Sequence, residues 1–138
     1  MAIIYPKVTP NPKEIKQHIE LAKQRIYSAQ ILIKEKQYRD AISRAYYAFF
    51  DATSALLLTK GLLAKTHSGL LTLFGLAFVK TGKIDPKFAR FFRKAKEARE
   101  EADYEVLKKC HFLNHKFDLY FLEKLFSSLV IHQYPNLF

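Results

Sequence analysis

The sequence predicts an all-α protein, an up-and-down bundle of four to five helices. Three observations carry that prediction. Apolar residues recur at three- and four-residue intervals along most of the chain, with no strand-like alternation. Glycine and proline are few, 4 and 5 in 138 residues, and Pro6, Pro10 and Pro12 crowd the first dozen positions. Hydrophobic residues make up 49% of the chain, enough for one packed core at this length.

Residues 1–10 form an extended lead-in, and residues 11–138 form a single helical domain. Asn11 supplies a helix cap, Pro12 suits the first turn, and Glu14 stands where it would close a capping box. Ile15, Ile19, Ala22, Ile26, Ala29 and Ile33 then trace one narrow stripe. After a short link near Gln37, a second helix spans about residues 39–60 and stops at Gly61. Ile42, Ala45, Phe49, Ala52 and Leu56 form its apolar face. Ala41, Ala48 and Ala55 add a line of small residues that lets another backbone approach closely. The third helix starts near Thr66 or His67, runs to about Thr81 on Leu70, Leu73, Phe74, Ala77 and Phe78, and ends at Gly82. Asp85 and Pro86 open a fourth helix that reaches about Tyr104. A last helix lies between Lys108 and Gln133. It is apolar on two sides, as expected of a helix central to the bundle or shared with a second subunit.

The formal charge is +10, with a pI near 9.7, which favours an anionic partner held in a salt-sensitive way. Cys110 is the single cysteine, so an intrachain disulfide is excluded and a reducing cytoplasm is the expected setting. The N-terminus lacks the basic start and apolar run of a secretory signal. No stretch approaches the roughly 20 apolar residues of a membrane span.

Chemistry is concentrated in a few places. Arg44 and Asp51 share one line of the second helix, roughly 10 Å apart along its axis, with Tyr47 between them about 60° away. They are expected to flank one groove or to form a polar rim. His67 stands at a helix start, where the dipole favours a neutral imidazole and free N–H groups favour a phosphate. It is either part of a site or a cap for its own backbone. On the fourth helix Lys87, Arg90, Arg93, Lys94 and Lys96 precede Glu97, Glu100, Glu101 and Asp103, against the helix dipole. A basic patch placed there at a cost of tenths of a kcal/mol per charge, roughly, suggests a use for it. Arg99 and Asp103 are one turn apart and positioned to pair. His111 and His115 have metal-binding spacing without an obvious third ligand, so no metal site is expected. Phosphate-loop and dinucleotide fingerprints are missing, and no cofactor is called for. Cys110, beside Lys108, Lys109 and His111, has nothing else to mark a thiol enzyme.

Three segments in order, RAYYAFFDA, LLLTKGLLAKTHSGLLTLFGLAFVKTG and AREEADYEV, resemble the HEPN-domain proteins of bacteria and archaea, in their small single-domain branch. The resemblance covers nearly the whole chain. It implies a helical bundle, commonly a homodimer, often encoded beside a minimal nucleotidyltransferase as a toxin with its antitoxin. Many members are metal-independent RNases with an arginine, a polar residue and then a histidine about five positions after the arginine. By position Arg99 is that arginine, Glu100 the polar residue, and Tyr104 stands where the histidine belongs. A second register sets Arg44 against Asp51. The histidine is absent from both. Tyrosine, with a pKa near ~10, is a poor base at neutral pH. Losing base assistance costs about 10²–10⁴-fold in rate. His67 would take over that work if the fold brings it to Arg99.

Two functions follow from these expectations. One is an RNA-binding domain or degenerate RNase in which Arg99, Tyr104 and His67 do the chemistry. Arg44, Tyr47, Asp51, Arg90, Arg93 and Lys94 would then hold the nucleic acid. The other is a non-catalytic partner subunit of a minimal nucleotidyltransferase.

Overall fold

The computed structural model describes residues 7–104, with only the backbone of residue 91 and residues 101–104. Among the described residues, four helices make a bundle: α1 (Pro12–Lys34), α2 (Tyr38–Thr59), α3 (His67–Phe74) and α4 (Pro86–Tyr104). α3 runs on without a break into a π-helical turn, Gly75–Val79. The expected last helix, Cys110 and the His111/His115 pair lie outside the described residues. Among the described residues, no helix is long and apolar enough to cross a membrane.

The helix ends follow local chemistry. Asn11 Oδ1 accepts from the Lys13 amide at 3.1 Å, with Pro12 in the first helical position. Asp85 Oδ1 does the same for the Lys87 amide at 2.9 Å, with Pro86 behind it. α2 ends in a Schellman motif. The Gly61 amide reaches the Leu58 carbonyl and the Leu62 amide reaches that of Leu57, with Gly61 at φ 67°. α1 ends the same way around Lys36, which takes φ 58° with no glycine to signal it. That left-handed residue costs about 1–2 kcal/mol, which the packing of α1 on α2 outweighs.

Gly61 has a second reason to lack a side chain. The lead-in crosses it, with the Val8 amide donating to the Gly61 carbonyl at 2.8 Å, and a Cβ there would lie 2.6 Å from the Val8 carbonyl oxygen. Gly61→Ala should therefore destabilise the fold by at least the roughly 1–2 kcal/mol of a left-handed non-glycine residue. Urea unfolding would register this as a lower midpoint, and an unchanged midpoint would refute it.

α2 is the hub. Of its 22 residues, 13 are buried, so its surface is covered on most sides, by α1, α3 and α4. The predicted stripes are the core: Ile15, Ile19, Ala22, Ile26 and Ala29 of α1 lie against the Ala45, Phe49, Ala52 and Leu56 line of α2. Ala41 and Ala48 are fully buried and Ala55 nearly so. From α4, Phe92 and Ala95 close the core, with the Phe92 ring edge-on to Phe49 at 5.4 Å. Leu70, Leu73, Phe74 and Phe78 complete it from α3 and the π turn.

Candidate functional site

Because α2 is covered on most sides, its polar residues are forced into contact with its neighbours. Tyr46, Tyr47, Phe50 and Asp51 occupy adjoining lines of the helix, since successive residues turn by about 100°. α1 supplies His18 and Arg25, the start of α3 supplies His67 and Ser68, and α4 supplies Lys96 and Arg99.

On the α4 side, Arg99 donates through Nη1 to the Tyr47 hydroxyl at 3.0 Å. Its guanidinium carbon stands 4.8 Å from the Tyr46 ring centroid and 5.5 Å from that of Tyr47. Each such contact contributes about 0.5–2 kcal/mol, more as water is excluded. Arg99 Nε is buried and meets no acceptor among the described residues. Lys96 lies one turn before Arg99, within 3.4 Å of Ser68 Oγ and 3.8 Å of the Glu100 carboxylate.

His67 is the first residue of α3, but it does not cap the helix. Thr66 does, its hydroxyl accepting from the Gly69 amide at 2.9 Å. The His67 ring is thereby released to pack on α2. Its Nδ1 is 2.7 Å from the Tyr46 hydroxyl, and its ring centre is 4.7 Å from that of Phe50. Tyr46 is fully buried, and burial pushes its phenol up to about 12, more than the nearby Arg99 charge pulls it back. The phenol stays protonated, and its hydrogen needs an acceptor. Nδ1 is the acceptor it meets among the described residues, so the proton of the neutral imidazole sits on Nε2. Burial, then the Arg99 and Lys96 charges, lowers the His67 pKa, with Glu100 opposing.

This shift has a measurable sign. The unfolded chain takes up a proton on His67 near pH 6.5, where the folded one still resists it. The His67 contribution to stability should therefore be whole above pH 6.5, fall as the pH drops through that value, and level off below the folded pKa. By NMR titration, His67 should titrate below 6.5, and Arg99→Gln should move it back up. An unshifted His67 in that variant would show that Arg99 does not act on it.

On the α1 side, Asp51 is buried, 3% exposed. Its carboxylate accepts from Arg25 Nη1 through Oδ2 and lies 3.1 Å from His18 Nδ1 through Oδ1. Arg25 Nη1 also donates to the Tyr47 carbonyl at 3.4 Å, and its guanidinium lies 5.3 Å from the Tyr47 ring centroid. Above this network, Arg25, Leu32, Asp40, Ser43, Arg44 and Tyr47 line an open cavity of about 460 Å³ between α1 and α2.

Arg99 and His67 thus meet through Tyr46 and Tyr47. The side chain of Tyr104 lies outside the described residues. Tyr47 is the centre of the site, flanked by an arginine on each side. Arg44 is exposed at the cavity mouth, whereas Asp51 is buried and occupied by α1, so the two do not form one wall. Arg90, Arg93 and Lys94 are exposed. They lie at least about 120° around α4 from Arg99 and make a separate basic face. Sequence reasoning passed over His18, Arg25 and Tyr46. His18 and Arg25 did leave a signal: seven residues apart, they share a helix line at the edge of the α1 stripe. Tyr46 left none, since its apolar neighbours read as core.

The HEPN domain family profile matches residues 15–116. A Methanocaldococcus jannaschii protein named "Putative toxin" is 46% identical over 92 residues, 67% of this chain and 69% of that protein. A second protein of that organism with the same description is 34% identical over 123 residues, 86% of this chain and 83% of its own length. A UPF0332 protein of Pyrococcus horikoshii is 42% identical over 80 residues, 58% of this chain and 56% of its own length.

Proposed function

We propose that this chain, which belongs to the HEPN domain family, is a toxin-like domain that grips the phosphodiester backbone of RNA at Arg99 and cleaves it without a metal. One observation carries the reading: Arg99, the arginine of the family-like segment, is held against Tyr46 and Tyr47, where its charge helps burial to lower the His67 pKa. A guanidinium fixed in place before the ligand arrives loses little entropy on binding and presents a planar fork that matches two phosphate oxygens. His67, with its hydrogen on Nε2, offers a further donor to a phosphate oxygen, and Lys96 adds charge beside it.

In the reaction, the ribose 2′-oxygen would attack the adjacent phosphorus while Arg99 stabilises the negative charge that builds on the phosphate oxygens. Tyr47 serves as the rigid post for Arg99. The net charge of +10 draws RNA towards the protein at long range. The names of the two Methanocaldococcus relatives support a toxin-like role. The test is incubation of single-stranded and hairpin RNA with the full chain in excess EDTA. Cleavage products ending in a 2′,3′-cyclic phosphate are expected. Absence of RNA binding at low salt would reject the reading, and binding without cleavage would reject its catalytic part.

A further inference from the structure

We propose that His18, oriented by the buried Asp51 carboxylate, is the base that removes the ribose 2′-proton, a role that His67 is wired not to fill. The proposal rests on the RNA-cleavage reading above and assigns the group that reading leaves open.

The argument begins with the hydrogen bonds of the two imidazoles. An ionised carboxylate only accepts, so with Asp51 at 3.1 Å, His18 carries its proton on Nδ1. The lone pair of its neutral ring is then on Nε2. His67 is wired the other way: Nδ1 accepts from the Tyr46 phenol, which leaves Nε2 as a donor. One histidine is set to take a proton and the other to hold an oxygen. A buried carboxylate that fixes a tautomer and steadies the imidazolium formed by proton uptake is the arrangement a general base needs.

Placement agrees. His67 packs on Phe50 and Tyr46 and His18 on Asp51; Phe50 and Asp51 are consecutive residues of α2, about 100° apart around the helix, so the two imidazoles take adjoining sides of it. About one turn up, Arg99 and Arg25 flank the Tyr47 ring at 5.5 and 5.3 Å. α2 is thus a ridge with an arginine and a histidine on each flank. The His18 side chain is 27% exposed, so its outer nitrogen is not sealed into the core as Asp51 is. A structural ion pair needs only Arg25 and Asp51; the histidine is additional to it.

The step balances as a transesterification. His18 Nε2 takes the 2′-hydroxyl proton, the 2′-oxygen bonds to phosphorus, and the bond from phosphorus to the 5′-oxygen breaks. The 5′-oxygen takes a proton from water, and the resulting hydroxide is neutralised by the proton that His18 later releases. No oxidant, reductant or metal enters.

The experiment measures binding and cleavage separately on a mixed-sequence oligoribonucleotide in EDTA. His18→Ala should bind RNA within about threefold of the unmodified chain yet cleave about 10²–10⁴-fold more slowly. Added imidazole should restore part of the rate, which a merely structural histidine would not permit. His18→Gln, which fills the space, repeats the comparison if the alanine variant folds poorly. Unchanged cleavage in both variants, or loss of RNA binding along with cleavage, overturns the assignment and leaves the RNA reading standing. Binding without any cleavage by the unmodified chain overturns the assignment too. Failure of the unmodified chain to bind RNA rejects the RNA reading, and the assignment with it.

Discussion

Arg99→Ala is expected to lower metal-free RNA cleavage by about 10²–10³-fold, the loss typical of removing one preorganised donor from a developing oxyanion. Arg99 should act in the transition state more than in ground-state binding, because the negative charge that its fixed fork meets grows as the 2′-oxygen attacks phosphorus. Most of the loss should therefore appear in kcat, with a smaller change in KM. Arg99→Lys keeps the charge but not the planar fork or the ring contact, so it should recover only part of the rate. Single-turnover kinetics on one oligoribonucleotide would check this. Cleavage unchanged in Arg99→Ala would remove Arg99 from the site. The variant should remain folded, since among the described residues it gives up two cation–π contacts and one hydrogen bond.

The largest effect on stability is expected at Asp51. Removing one partner of a buried ion pair costs about 3–5 kcal/mol, because the other charge is left without compensation. Arg25, 28% exposed, keeps some access to water, which places Asp51→Ala near the lower end of that range. The alanine also leaves His18 Nδ1 without the Asp51 acceptor and the Arg25 fork with only the Tyr47 carbonyl among the described residues. Asp51→Asn should cost less, since the amide oxygen still accepts one bond. Replacing both Arg25 and Asp51 by leucine should cost less than the sum of the single changes, because neither charge is then stranded. Urea unfolding of the unmodified chain, Arg25→Leu, Asp51→Leu and the double variant gives the coupling directly. Additive losses would show that the pair contributes nothing as a pair.

The helices were legible because each depends on chemistry within a few residues. The α1 stripe, the alanine line of α2, the Asn11 and Asp85 caps and the Gly61 stop were all read from spacing or from a single residue type. The end of α1 was less legible. Lys36 adopts the left-handed conformation that a glycine would have announced, and it does so because the α1–α2 packing requires a turn there. The π turn after Phe74 is likewise no property of its local pattern, which remains that of a helix.

The site was legible only in part. His67 and Arg99 stood out by position and by resemblance, and Tyr47 by its place between Arg44 and Asp51, about 60° around the helix from them. That His67 would be free to face α2 depended on Thr66 taking the cap, a choice between adjacent residues that the sequence leaves open. Asp51 read as a groove residue, and it is instead a buried anchor for Arg25 and His18. Arg90, Arg93 and Lys94 belong to another face of α4 than Arg99, although simple helix geometry separated them already.

The sequence by itself determined the helical class and, over the described residues, the order of the helices and the apolar stripes that α1 and α2 bury, because a helical period fixes angle along one element. It left open which polar lines would meet. That depends on the register and rotation of one helix against another, set by the packing of Phe49 on Phe92 and of the buried alanines rather than by any local pattern. Only the tertiary structure joined His18 to Asp51 across 33 residues and Tyr47 to Arg99 across 52. It also gave the two histidines opposite hydrogen-bonding roles, through the partner that each meets on another helix.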